Sequence, residues 1–182
     1  MTQVFIGIGS NIERGAHITA ALDRLAAEFG DMLLSPVYES EAIGFSGAAF
    51  FNLVARIDTE LSVGELVTLL RGIERANGHS GNTAKFSDRS LDLDLLTYGA
   101  VNGVVDNIAL PRADIVDYAY VLWPLADIAG DALHPALGIS YCALKQKFTA
   151  AQKLWPVPFL WNNHDLSQLL IPTTARELTV GR

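Results

Sequence analysis

The apolar residues switch from a period of two to a helical period and back, twice, within the first hundred residues, and no other feature constrains the fold as strongly. Val4, Ile6 and Ile8 alternate with Phe5, Gly7 and Gly9 and run into Gly9-Ser10-Asn11, which predicts a buried first strand and a turn. Ile18, Leu22, Leu25, Ala26 and Phe29 then fall at helical spacing with Gly30 as the stop, so a helix is expected over 15–29. Met32 to Tyr38 reads as a second strand and residues 39–49 as an irregular loop. Phe51, Leu53, Ala55 and Ile57 alternate with Phe50, Asn52, Val54, Arg56 and Asp58, giving a third strand with two distinct faces. Ser62 with Glu65 forms a capping box ahead of Val63, Leu66, Val67, Leu70 and Ile73, and Asn77-Gly78 closes that helix. After an exposed loop at 79–90, SLDLDLLTYG reads as a fourth strand. VNGVVDNIALP is expected to be a strand or hairpin, and residues 116–128 and 139–148 to be helical.

The predicted order is therefore strand, helix, strand, strand, helix, strand, the split βαβ arrangement of an α+β, ferredoxin-like βαββαβ core. It implies a mostly antiparallel sheet with helices on one side. Residues 1–148 are expected to form this domain and 149–182 a C-terminal extension. Many unrelated activities use this fold, so function must come from particular residues.

Composition narrows the partners. The chain has 182 residues, 20 acidic and 13 basic, for a net charge of −7. Nucleic acids and anionic membranes need a basic field, so neither is expected as a partner. With few cations, any site for a polyanion must lean on a handful of arginines and lysines or on divalent metal. Cys142 is the only cysteine, which excludes an intramolecular disulfide and multi-cysteine metal sites and suits a reducing compartment. MTQVFIGIGS lacks a basic n-region and a cleavage pattern, and no run reaches the roughly 18 apolar residues that span a bilayer. A soluble, cytoplasmic protein is expected.

Leu91-Asp92-Leu93-Asp94-Leu95-Leu96 is the segment richest in chemistry. On a strand the leucines point one way, and Asp92 and Asp94 stand side by side on the other face. Such a pair repels itself unless a cation intervenes, and magnesium accepts one or two carboxylates together with phosphate oxygens and water. The same alternation also describes a solvated strand face. Arg89 can pair with these carboxylates or touch a phosphate, and Glu74, on the last helical turn, reads equally as a solvated charge or a ligand. Phe50 and Asn52 share one strand face, where a ring can rest on the aromatic while the amide meets a heterocycle edge. Cys142 is expected to be buried by packing, and among His17, His79, His134 and His164 no ligand spacing recurs.

VFIGIGSN, VYESEAIG before FFNLVARIDT, LSVGELVTLLRGIE, DRSLDLDLLTYG and YVLWPLADIA, in this order and at these separations, resemble the hydroxymethyldihydropterin pyrophosphokinases of folate biosynthesis over about residues 3–148. The resemblance implies a ferredoxin-like enzyme that transfers the terminal diphosphate of ATP to the hydroxymethyl group of a reduced pterin and releases AMP. It implies two magnesium ions on Asp92 and Asp94, with Asp94 also helping to draw off the hydroxyl proton. Asn52 matches the pterin-recognising asparagine, Phe50 and Tyr120 the aromatic positions, and Ser40 and Ile43 the adjoining loop. Glu74, Lys85, Arg89, Leu95 and Arg112 fall on the nucleotide side.

The departures cluster in one loop. The family typically carries an arginine-rich loop ending in Trp-Gly-Pro-Arg, whereas this chain has His79, Gly81, Lys85, Phe86, Asp88 and Arg89 across that length. Arg112-Ala113 stands where a His-Tyr or His-Pro type pair is usual, and Tyr118 where an arginine is common. A single well-placed cation is worth about 10³–10⁵ in rate in such transfers, so the loop matters. Three readings follow: an active pyrophosphokinase with a divergent lid, a paralogue using a related pterin or donor, and a non-catalytic pterin-binding or regulatory protein. In the tail, Trp155, Phe159 and Trp161 are too apolar to hang free, so 149–182 is expected to pack on the domain or form a subunit contact through which the chain self-associates.

Overall fold

A computed structural model of the protein describes residues 1–44, 46–78 and 88–167. The elements are β1 (Thr2–Ser10), α1 (Arg14–Phe29), β2 (Leu33–Leu34), β3 (Val37–Ser40), β4 (Phe50–Thr59), α2 (Val63–Ala76) and β5 (Asp92–Tyr98). They are followed by β6 (Gly103–Val105), β7 (Ile108–Leu110), α3 (Asp114–Asp117), α4 (Ala119–Ala129), α5 (Tyr141–Lys147), β8 (Leu154–Val157), β9 (Leu160–Trp161) and β10 (His164–Asp165). The main sheet runs β5-β1-β4-β3-β8, with β2 also on β4, and its neighbouring strands pair antiparallel. Because β4 lies between β1 and β3, the crossover through α1 is the split βαβ unit of the ferredoxin-like α+β fold.

Strand parity sets two cores. Val4, Ile6 and Ile8, Leu53, Ala55 and Ile57, and Leu93 and Leu95 face α1 and α2, meeting Ile18, Leu22, Leu25, Leu66 and Leu70. Phe5, Val54 and Leu96 face the other way, against Leu122 and Leu125 of α4 and Tyr141 of α5. The expectation of helices on one side thus holds for α1 and α2 and fails for the molecule. The second face of a sheet this apolar also needs cover, and the helices after β5 supply it.

Local chemistry explains the other differences. The single strand expected over 32–38 is divided at Ser35-Pro36. Pro36 has no N–H for the ladder, and the Ser35 hydroxyl instead accepts from Val54 N at 2.9 Å. The helix expected over 116–128 breaks at Tyr118, which is extended (φ −128°, ψ 124°) between α3 and α4. VNGVVDNIALP forms the β6–β7 hairpin, with Asp106 and Asn107 both at positive φ as its two-residue turn requires. The capping box is present: Glu65 N donates to Ser62 Oγ and Ser62 N to Glu65 Oε2. Cys142, expected buried, is exposed, because α5 turns Tyr141 inward instead. Beyond α5, β8 pairs with β3 from Val37↔Val157 to Ser40↔Leu154, and Phe159 and Leu166 enter the core beside α1. Among the described residues no helix is long and apolar enough to cross a membrane.

Candidate active site

The face of the sheet under α4 carries the polar groups. Asp92 and Asp94 leave β5 on that face, while Leu93 and Leu95 enter the core, as alternation demands. Their partners on β1 are Gly9 and Gly7, and Gly9 in turn lies opposite Asn52 of β4. A strand glycine here leaves a bare floor between the carboxylates and the amide: a Cβ on Gly9 would stand 3.3 Å from Asn52 Oδ1. Asn52 is 6% exposed and donates through Nδ2 to Ser40 Oγ at 2.9 Å, so its amide is held in one orientation.

Each carboxylate has its own guanidinium. Arg89 Nη1 lies 3.0 Å from Asp92 Oδ1, and Arg112 Nη2 lies 3.2 Å from Asp94 Oδ1 while its Nε reaches Asp114 Oδ2 at 2.7 Å. Asp94 sits deep among protein atoms, yet 33% of its side chain stays accessible through the cavities it borders. Burial pushes its pKa up to about 7, Asp92, Asp114 and Glu74 add to the rise, and Arg112 opposes them. Burial pulls the Arg112 pKa down, but Asp94 and Asp114 outweigh it and hold the guanidinium above its ordinary range, so it stays charged. Burial, then Asp114, raises the Tyr120 phenol, which remains neutral.

Two cavities meet at this cluster, and Arg89, Asp92, Asp94 and Arg112 line both. The first gathers Ser40, Ile43, Phe50, Asn52 and Tyr120 around a bare Gly9. Ring and amide groups separated by up to 70 residues in the chain thus share one chamber. Tyr118 joins them, its ring stacked on Tyr120 with centroids 5.1 Å apart and 22° between planes. The second cavity opens at the edge of β5 and brings together Glu74, Leu95, Leu70, Arg71 and Ile108. Glu74 is buried and accepts from Leu93 N at 2.7 Å, which ties the end of α2 to the strand that carries the aspartates. Lys85, with His79, Gly81 and Phe86, lies outside the described residues.

Several lining residues escape sequence reasoning. Glu41 and Asp114 carry no local signal, whereas Gly9, a glycine inside a strand pattern, does. Asn11 is another. Its Nδ2 donates to Asp88 Oδ1 at 2.6 Å and to Ala48 O at 3.2 Å, and its Oδ1 accepts from Arg89 N at 2.7 Å. One buried amide therefore ties the backbone carrying Arg89 to the segment leading into Phe50. Asp88, a departure from the family pattern, is an anchor in this network.

The family model for 7,8-dihydro-6-hydroxymethylpterin-pyrophosphokinase matches residues 5–130. The chain belongs to this family. A 2-amino-4-hydroxy-6-hydroxymethyldihydropteridine pyrophosphokinase of Pseudomonas aeruginosa is 34% identical over 137 residues, 73% of this chain and 84% of the relative. The folic acid synthesis protein fol1 of Pneumocystis carinii is 30% identical over 90% of this chain, which spans only 22% of that protein's length. The crystal structure of wild-type Plasmodium falciparum HPPK-DHPS shares the fold, with a TM-score of 0.61 at 13% identity over 81% of this chain and 44% of that one. Within the family frame, Arg112 stands on the carboxylate pair rather than pointing away from it, a direction that sequence alone left open.

Proposed function

We propose that this chain transfers the terminal diphosphate of ATP to the hydroxymethyl group of 6-hydroxymethyl-7,8-dihydropterin and releases AMP, a step of folate biosynthesis. One observation carries the reading: a chamber lined by aromatic and amide side chains and a second cavity at the edge of β5 share the Asp92–Asp94 pair and its two arginines as a common wall. A transferase for two substrates needs such a wall, because the attacking oxygen and the phosphorus must meet there.

The donor set fits magnesium of the kind that arrives with a triphosphate. Among the described residues no group of three or more His, Cys, Asp or Glu is arranged to hold a metal, so a dedicated all-protein cage is not available. Two adjacent carboxylates suit an ion that takes its remaining ligands from phosphate and water. Asp92 and Asp94 would hold two magnesium ions, which when bound neutralise triphosphate charge and align an in-line displacement. Asn52, fixed by Ser40, reads the pterin edge, and Phe50 and Tyr120 hold its faces beside Ile43. Arg89 and Arg112 face the phosphates, with Glu74 and Leu95 on the nucleotide side and Lys85 assigned there by resemblance. The hydroxymethyl oxygen forms a bond to the β-phosphorus as the bond from that phosphorus to the α–β bridging oxygen breaks. Asp94 takes the hydroxyl proton, and AMP leaves.

The lone cysteine and small soluble substrates suit the cytoplasm, with neither nucleic acid nor membrane as partner. Self-association through 149–182 is the alternative to packing on the domain for that segment, supported by the exposure of Trp155 (42%) and Leu160 (72%). The deciding experiment is AMP release from ATP with hydroxymethyldihydropterin and magnesium, beside pterin binding measured separately. Magnesium-dependent AMP release is expected; pterin binding with no AMP above a protein-free blank would overturn the transferase in favour of a binding protein.

A further inference from the structure

The two walls of the ring chamber come from different parts of the chain, and two consecutive residues beyond the family match touch both. Gln152 brackets Tyr118: its Oε1 accepts from Ala119 N at 2.8 Å and its Nε2 donates to Asp117 O at 2.9 Å. Ala119 is the first residue of α4, whose N-terminus receives no side-chain cap from Tyr118, so Gln152 satisfies a donor the helix would otherwise leave open. The backbone groups it grips flank Tyr118, whose ring stacks on Tyr120. Next to it, Lys153 O accepts from Glu41 N at 3.4 Å and Lys153 Nζ lies 3.0 Å from Glu41 Oε1, while Leu154 stands in register with Ser40. Ser40 and Glu41 line the opposite wall of the same chamber.

We propose that Gln152, with the Lys153–Leu154 backbone, is a positioning element of the ring site, setting the separation of the tyrosine wall from the Ser40–Glu41 wall and hence the affinity for the ring. Gln152 touches no substrate; it acts through Tyr118 and Tyr120. The Lys153–Glu41 ion pair is exposed and contributes little, so the strand pairing and the glutamine amide carry the effect. Among the described residues nothing comparable links 152–154 to the second cavity, so the effect is expected on one substrate.

This inference rests on the proposed pterin transferase, and the test separates the two. Pterin and ATP KM values are measured by AMP release on the full chain, with pterin binding by fluorescence, for wild type, Gln152→Ala and Gln152→Glu. Gln152→Ala is expected to raise the pterin KM by about fivefold to tenfold, the scale of one or two lost hydrogen bonds, with the ATP KM within twofold. Gln152→Glu keeps the acceptor for Ala119 N but sets a carboxylate oxygen against Asp117 O, so it is expected to recover only part of the loss. A general destabilisation would move both KM values or lower the active fraction without splitting them. An unchanged pterin KM in Gln152→Ala, or an equal rise for both substrates, overturns the inference while the transferase stands. A wild-type chain that neither binds pterin nor releases AMP overturns both.

Discussion

Asp94 concentrates the chemistry of the site at the scale of one side chain. Burial, with Asp92 beside it, raises its proton affinity at the place where the proposed mechanism needs both a cation ligand and a proton acceptor. Asp94→Ala is expected to remove AMP release by a factor of about 10³ or more while leaving the melting temperature within a few degrees of wild type. A fully active variant would remove Asp94 from the mechanism. His134 belongs to stability instead. It is buried, its Nδ1 accepts from Ala136 N and Leu137 N at 3.3 Å each, and its ring meets Tyr141. Burial holds its pKa below the ordinary value, so the unfolded chain binds this proton more readily. Its contribution is complete above about pH 6.5 and declines as pH falls through the lower folded value. Thermal melts at pH 7.5 and 5.5 check this: His134→Gln should show a smaller drop between the two than wild type. The sequence offered no ligand spacing for this histidine, and its role depends on a loop turning back on itself.

At the scale of the element, β1 shows how much was legible. Its period-two pattern announces a buried strand, and Gly7 and Gly9 announce that one face is bare. What the pattern does not contain is the register that sets Gly9 between Asn52 and Asp92. Gly9→Ala tests that register. Alanine in a strand is favoured over glycine by roughly 0.5–1 kcal/mol, so the fold should hold or gain slightly. The new Cβ, 3.3 Å from Asn52 Oδ1, should displace the amide and raise the pterin KM by on the order of tenfold. An unchanged pterin KM would show that the amide does not read the ring. The break at Tyr118 was illegible for a simpler reason: Tyr118-Ala119-Tyr120-Val121 is apolar throughout, and the partner that stabilises the break, Gln152, lies more than thirty residues away.

Across the whole molecule, the described residues after α5 join the sheet through β8 and the core through Phe159 and Leu166. Removing residues 149–182 would strip β8 from β3 and take Phe159 and Leu166 out of the α1 core. Burying such side chains is worth about 1.5–3 kcal/mol each, so the truncated chain should melt roughly 10 °C lower. Calorimetry measures that loss, and light scattering on the same pair of proteins tests self-association: a change in the number of chains per particle would make the extension a subunit contact. The order of strands and helices, the placing of Asp92 and Asp94 on a common face and the candidate ring residues were all readable along the chain. Each depends on periodicity or on an ordered set of motifs, which are local. The pairing of Arg112 with Asp94, the second face of helices and the grip of Gln152 on α4 arise only when distant segments pack. They are fixed by the side of the sheet on which those segments land, and burial and charge pairing settle that together.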